Sequence, residues 1–295
     1  MPRTLSRARS KAAALAAAGL VVLAACGSPP PEGPRGGPGS PRRSPTPIVR
    51  ASGDLPPPPE AGDGPTLLAS SFERPICGRY QHPGPGCEFG YEGDDLETGE
   101  FDCRTGASCL RVGRMSHSHM GVIREVPIPG GNGFVGLAQR VPEIPAGAIP
   151  EDRGYIEILQ LSPTDGVSVD GYPVEVRLYP DRRLGLALFR EKDEAITREP
   201  VPIDEWFTTV VQLTSSEVPA PQRLWVFDAG GVLVDYVEID LVTDQRWPHA
   251  ERTAQKVGGV TSTLVPMDTY ADDWWISEEF LGPVRIDPSG SLRGS

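Results

Sequence analysis

Between Leu67 and Ser277 short apolar runs alternate with polar residues at a period of two and are broken at close intervals by Gly, Pro and Asp. In the run Val174–Tyr179, Val174, Val176 and Leu178 point one way and Glu175, Arg177 and Tyr179 the other. In Val232–Leu241, Leu233, Val237, Ile239 and Leu241 oppose Val232, Val234, Tyr236, Glu238 and Asp240. Successive side chains of a strand leave opposite faces, so this pattern specifies antiparallel sheets with one face buried. The same texture marks Leu67–Phe72, Ser108–Val112, Gly121–Val126, Gly133–Val141, Tyr155–Leu161, Leu184–Arg190, Trp206–Leu213, Arg223–Asp228 and Asp273–Ser277 as strands. Ala229-Gly230-Gly231, between two strong runs, reads as a hairpin turn. Helical signal is scarce: Asp244–Lys256 has room for a turn or two, curtailed by Pro248. The expected class is all-β, a two-sheet antiparallel sandwich. About eleven strands in about 230 residues suit a jelly roll better than an immunoglobulin domain of seven to nine strands.

The flanks cannot join that core. Arg3, Arg7, Arg9 and Lys11 precede an almost wholly apolar stretch, Ala12 to Ala25, with no acidic residue. A basic start, a short apolar segment and small residues describe a secretory signal. The segment falls short of the roughly 20 residues of a membrane-spanning helix. Its last residues, Leu23-Ala24-Ala25-Cys26, resemble the lipobox of bacterial lipoproteins. That resemblance implies cleavage before Cys26, lipid on its sulfur and new amino group, and an anchor on the extracytoplasmic face of a bacterial cell membrane. Residues 26–65 then form a disordered tether. Thirteen of the chain's 33 prolines lie in residues 27–65, which keeps such a segment extended and coreless. The expected layout is signal 1–25, lipidated Cys and linker 26–65, jelly roll 66–285 and a flexible tail 286–295.

Charge narrows the partners. The signal carries four of the 28 Lys and Arg residues and no acid, leaving 24 basic against 40 acidic residues, a net of −16. An acidic surface disfavours nucleic acid and anionic lipid and leaves neutral glycans, cations or basic proteins. Besides Cys26 there are four cysteines, Cys77, Cys87, Cys103 and Cys109. An even number in an exported chain points to two disulfides. Of three pairings, Cys77–Cys87 with Cys103–Cys109 is favoured, because each closes a short Gly-rich loop. No Cys-x-x-Cys spacing supports zinc.

Three landmarks follow one another: Leu68-Ala69-Ser70-Ser71-Phe72-Glu73; then Asp204-Glu205-Trp206-Phe207-Thr208-Thr209-Val210 with Arg223-Leu224-Trp225-Val226-Phe227-Asp228-Ala229-Gly230-Gly231; then Tyr270-Ala271-Asp272-Asp273-Trp274-Trp275-Ile276-Ser277. Together they resemble the concanavalin A-like lectin/glucanase jelly roll, near its laminin-G-like and polysaccharide-lyase-like branches, over about residues 66–285. The resemblance implies a structural calcium between first and last strands, with Glu73 and Asp272 or Asp273 as ligands. Hard carboxylate oxygens are the chemistry calcium requires.

Catalytic signatures are incomplete. Glu238-Ile239-Asp240 begins the Glu-x-Asp-x-x-Glu run of laminarinase-type enzymes of this fold, but Thr243 stands where the second Glu belongs. Retaining hydrolysis needs two carboxyls about 5–5.5 Å apart. Jelly-roll lyases carry Gln-x-His; here Gln160-Leu161-Ser162 has Ser in place of the base. His117-Ser118-His119 supplies two histidines without further ligands. Gly-x-Ser-x-Gly, His-Glu-x-x-His and phosphate-loop motifs are absent. For sugar binding, flat aromatics beside hydrogen-bonding groups are needed. Tyr155, Glu157, Arg177, Tyr179, Trp225 and Tyr236, opposite the apolar faces, provide them. Trp206 reads as core, and at least one of Trp274 and Trp275 must point inward. The expected function is a lipid-anchored, non-catalytic binder of carbohydrate or another extracellular ligand. The alternatives are a polysaccharide lyase or glycoside hydrolase with an atypical site, and an adhesion module that binds protein.

Overall fold

A computed structural model describes residues 48–49, 55–74, 76, 90–92, 96–114, 120–126, 132–152, 154–164, 174–188, 193–216, 218–243, 252–259 and 263–293. Cys26, Cys77, Cys87 and the His117-Ser118-His119 motif lie outside the described residues. Every regular element among the described residues is a strand. In chain order these are β1 (Ile48–Val49), β2 (Thr66–Ser70), β3 (Gly90–Glu92), β4 (Leu96–Gly99), β5 (Cys109–Arg114), β6 (Met120–Val126), β7 (Gly133–Arg140), β8 (Ile156–Thr164) and β9 (Val174–Leu178). They continue with β10 (Leu184–Leu188), β11 (Glu194–Ile196), β12 (Trp206–Leu213), β13 (Ala220–Phe227), β14 (Leu233–Leu241), β15 (Arg252–Gly259), β16 (Met267–Ser277), β17 (Arg285–Ile286) and β18 (Leu292–Arg293).

The strands form two antiparallel sheets and a small hairpin. Sheet A runs β1-β14-β13-β12-β7-β16-β5-β4, with β2 also paired to β16; sheet B runs β11-β10-β9-β8-β15-β6-β3. This is the expected jelly-roll sandwich. Its main core lies between the sheets, where Leu110, Val135, Leu137, Phe207, Val211, Leu224, Val237, Ile239 and Trp274 of sheet A pack with Ile156, Ile158, Leu159, Val174, Val176 and Leu186 of sheet B. Apart from the adjacent Ile158 and Leu159 of β8, each comes from one register of an alternating strand, the physical content of the sequence pattern.

Of Asp244–Lys256, read from sequence as room for a helical turn, residues 244–251 lie outside the described residues, and Arg252–Lys256 belong to β15, between β8 and β6. Its sequence, RTAQKVGG, lacks alternation; pairing on both edges, not side-chain pattern, makes it a strand. The expected hairpin turn is present. Asp228 Oδ1 accepts the amides of Gly230 and Val232, both at 2.9 Å. Gly231 closes the turn at φ +82°, where a side chain would be strained.

A second apolar cluster covers the outer face of sheet A. Val210, Trp225, Phe227, Tyr236 and Trp275 lie beneath Phe280, Leu281 and Ile286, with Leu55 and Leu292 packed against them. The ordered body therefore extends past both expected bounds of 66 and 285. The Gly62 amide bonds the Phe280 carbonyl at 2.9 Å, the Gly64 amide bonds Glu279 Oε2 at 2.8 Å, and β1 pairs β14 at Glu238 and Val237. Both Trp274 and Trp275 are fully buried, one in each core. Cys103 and Cys109 are bonded, as expected, with Cα atoms 5.4 Å apart.

The outer cluster depends on Gly136. A Cβ there would sit 2.0 Å from Trp275 Cε2, and neither the sheet nor the buried indole can give way. Gly136→Ala is expected to destabilise the domain by about 3 kcal/mol, since overpacking a filled core costs about 1–3 kcal/mol; urea unfolding measures it.

Candidate functional site

The sequence singled out six residues for ligand binding, and the sandwich separates them. Tyr155, Glu157, Arg177 and Tyr179 gather on the outer face of sheet B. Trp225 and Tyr236 belong to the outer cluster of sheet A, where they are only 2% and 4% exposed beneath the C-terminal segment. Their rings pack against each other at 5.6 Å, and Trp225 lies 5.4 Å from Phe280. Tyr236 donates to Glu238 Oε2 at 2.5 Å, which also takes Arg223 Nε at 2.6 Å. Burial, and then the Glu238 bond, push the Tyr236 phenol up to about 12. Period two shows that these residues leave the apolar side of their strands; it cannot show that a chain end will fold over that side.

The sheet B cluster is built by a β-bulge. β8 pairs β9 through Glu157↔Arg177 and Gln160↔Glu175, with a register shift between Glu157 and Leu159. The extra residue lets Ile158 and Leu159 both enter the core, and it brings Gln160 onto the same face as Glu157. Without the bulge, Leu159 would face outward beside Glu157. In the sequence Gln160 belongs to a lyase-like pattern, and period two alone sets it on the face opposite Glu157; the bulge that reverses this has no sequence signal here.

Arg177 is the hub. Its Nε and Nη2 bond Glu175 Oε2 at 3.2 and 3.1 Å. Nη1 reaches Glu194 Oε2 at 3.0 Å, and Nη2 also bonds the Leu188 carbonyl at 3.0 Å. The guanidinium carbon lies 4.2 Å over the Tyr155 ring, and Tyr155 and Tyr179 are 6.0 Å apart. Tyr179 donates a short hydrogen bond to Glu194 Oε2, while Gln160 Nε2 approaches Glu175 Oε1 at 3.5 Å. Glu157, Gln160, Glu175 and Arg177 are buried; Tyr155, Tyr179 and Glu194 are half-buried at the rim.

The electrostatics follow from crowding carboxylates around one guanidinium. Burial, and then the like charge of Glu157, push the Glu175 carboxyl up to about 8, against the opposing pull of Arg177. Burial works against the Arg177 charge, but Glu175 and the neighbouring tyrosines and Glu194 outweigh it. Tyr179 is raised by burial and by its bond to Glu194. Such a site offers rigid donors and acceptors beside two ring edges, and one carboxyl able to hold a proton at neutral pH.

Glu73, Asp272 and Asp273, the residues the resemblance offers to calcium, serve protein donors. Glu73 Oε1 accepts the amides of Ala107 and Ser108 at 2.8 and 3.1 Å. Asp272 accepts the amides of Thr105 and Asp273, both at 2.8 Å. Asp273 accepts Arg104 Nη1 at 3.1 Å, Thr105 Oγ1 at 3.0 Å and the Ile286 amide at 2.8 Å. Every oxygen of the two aspartates is engaged, and a guanidinium already supplies the counter-charge. The arrangement does not fit a calcium cage, and among the described residues no group of three or more acidic, His or Cys side chains is placed to share a metal. Glu238 and Asp240 sit on a strand whose face is turned to Arg223, and Thr243 is buried, bonding the Ser216 amide at 2.8 Å.

No family model matches the chain, and no curated protein is similar to it in sequence. Among solved structures it is similar to a cellulose-induced protein, Cip1, at 12% identity, covering 65% of this chain and 88% of that one with a TM-score of 0.45. It is similar to the binding domain of Paraclostridial Mosquitocidal Protein 1 at 11% identity and TM-score 0.44; the match covers 75% of this chain and 50%, only half, of that chain's length. Lectin II from Ulex europaeus aligns at 10% identity over 72% of this chain and 99% of that one, with a TM-score of 0.43.

A carboxyl that binds its proton more tightly folded than unfolded stabilises the fold below its unfolded pKa, and that contribution is lost as pH rises through the folded value. For Glu175 the window runs from the ordinary 4.5 to about 8. Thermal melts should therefore show the melting temperature falling across that window, and Glu175→Gln should flatten the slope.

Proposed function

We propose that the chain is a lipid-anchored extracytoplasmic protein whose jelly-roll domain binds glycan on the outer face of sheet B without cleaving it. The observation that carries this reading is the convergence of Tyr155, Arg177, Tyr179 and Glu194 into one preorganised patch. Arg177 is itself buried and fixed by bonds to two carboxylates and a carbonyl; it holds Glu194 and the Tyr155 ring in place, so a ligand meets rim groups already oriented. Preorganisation lowers the ordering cost that limits affinity in shallow sites. The half-buried rings of Tyr155 and Tyr179 supply flat apolar surface next to those groups. The basic apolar leader ending at Cys26 and the proline-rich spacer support the anchor.

A second reading has its own observation. Glu175, protonated up to about 8, stands beside Glu157, and a protonated carboxyl near a second carboxyl is what acid–base cleavage of a glycosidic bond uses. Against it stands the burial of both side chains, 1% and 0% exposed, which keeps a sugar from reaching them in this conformation.

A glycan array combined with a polysaccharide-cleavage screen separates the two. Binding without release of reducing ends or unsaturated uronates is expected, and Tyr155→Ala with Tyr179→Ala should weaken it about tenfold, the cost of truncating an aromatic anchor. Release of sugar ends, abolished by Glu175→Gln, would replace the first reading with the second. For the anchor, Cys26→Ser is expected to move the protein from the membrane fraction to the soluble one; unchanged membrane retention would count against lipidation.

A further inference from the structure

The uncovered end of sheet A's outer face carries an ordered row of rings and guanidinium groups across five strands. Trp206 on β12 stands opposite Arg140 on β7, Arg140 opposite Tyr270 on β16, Tyr270 opposite Arg111 on β5, and Arg111 opposite Glu97 on β4. Directly opposite residues of neighbouring strands share a face, so aromatic and cationic groups alternate along the row. The Arg140 guanidinium lies 4.3 Å from the Tyr270 ring and 5.7 Å from that of Trp206.

The disulfide-closed loop after β4 crosses this row at its middle. Phe101 packs on Tyr270 at 5.8 Å and gives its carbonyl to Arg140 Nη2. The Asp102 carbonyl takes Trp206 Nε1 at 3.1 Å. Trp206, expected from sequence to be core, is half-buried, as are Tyr270 and Phe101. The result is two aromatic platforms, Trp206 on one side and Tyr270 with Phe101 on the other. They are two strand spacings apart, about 9.5 Å. Between and around them stand exposed carboxylates. Asp102 and Asp204, with side chains 88% and 61% exposed, pair with Arg140; Glu97 and Asp268, at 53% and 41%, pair with Arg111.

We infer that this row is a second glycan site, taking an extended, uncharged oligosaccharide laid across the strands. Rings two strands apart match alternate sugars of an extended chain, whose faces are apolar and whose edges carry hydroxyls. The rim carboxylates are acceptors for those hydroxyls. Four exposed carboxylates against two partly buried arginines leave the rim negative, so a polyanionic chain is repelled. The row shares no residue with the sheet B cluster and stands or falls apart from it.

Calorimetric titration of the full-length protein with cellohexaose, chitohexaose and hexagalacturonate tests the inference. Binding of an uncharged hexaose but not of hexagalacturonate is expected. Trp206→Ala should weaken binding about tenfold or more, and Trp206→Phe, which keeps a ring but loses the bond to Asp102, should retain it within about threefold. Melting curves for each variant separate lost stacking from lost fold, and if Trp206→Ala unfolds, Tyr270→Ala takes its place with the same expected loss. Absence of binding to both uncharged hexaoses, wild-type affinity in the folded alanine variant, loss in a folded Trp206→Phe, or preference for hexagalacturonate would each overturn it. Loss in Tyr155→Ala/Tyr179→Ala with none in Trp206→Ala leaves the sheet B site standing and this one refuted; the reverse supports this site and removes the other.

Discussion

The fold turns on the bulge at Asp272–Asp273. There β16 shifts register against β7, and Asp273 adopts φ +46°, a left-handed backbone that Asp tolerates better than most residues. The shift puts Trp274 into the core between the sheets and Trp275 into the cluster on the outer face. It also turns both carboxylates toward loops. Asp272 bonds the Thr105 amide, and Asp273 bonds Arg104, Thr105 and the Ile286 amide. One strand irregularity thus ties the longest strand to the disulfide loop and to the C-terminal hairpin β17–β18. Burial and then the neighbouring Asp273 push Asp272 up to about 8, so the junction disfavours two charges and Asp272 holds a proton at neutral pH, while Asp273 pairs with buried Arg104. Removing one partner of such a buried pair costs far more than the pair itself contributes.

Both faces outside the sandwich inherit their character from this junction. The hairpin held by Asp273 helps to cover Trp225, Phe227 and Tyr236, making an outer core out of a face that would otherwise be a large exposed apolar patch. The disulfide loop held by Asp272 stays over Arg140 and leaves the row from Trp206 to Tyr270 partly open. Sheet B has no equivalent cover among the described residues. It solves the same problem with polarity, satisfying buried Glu175 and Arg177 against each other and against Glu194. A satisfied buried network is rigid.

Two other devices show how much stability rests on single side chains. Arg182, itself at φ +68°, has no carboxylate in bonding range among the described residues. It donates instead to the carbonyls of Val141, Pro142, Val201 and Pro202, closing two loops with one cation. Asp235 Oδ2 accepts the amides of Arg198 and Glu199 at 2.7 and 2.9 Å, joining sheet A to the loop after β11. Both act where the chain leaves one sheet for the other and regular ladders cannot satisfy the backbone.

The sequence by itself determined the alternating strands, hence the two sheets, the main core and the Asp228–Gly231 turn, because period two and turn chemistry are local properties. It also marked the Cys103–Cys109 loop and placed Tyr155, Glu157, Arg177 and Tyr179 on one side of their strands. Only the tertiary structure decided which side stays open. It placed Trp225 and Tyr236 under the C-terminal segment and left Trp206 half-buried at a rim. It made β15 from a segment without a pattern and gave Asp272 and Asp273 to protein donors. These outcomes depend on strand pairing, bulges and chain ends that meet across more than 200 residues, as Gly64 and Glu279 do at |i−j| of 215. A periodicity read within one strand carries no information about a partner that distant.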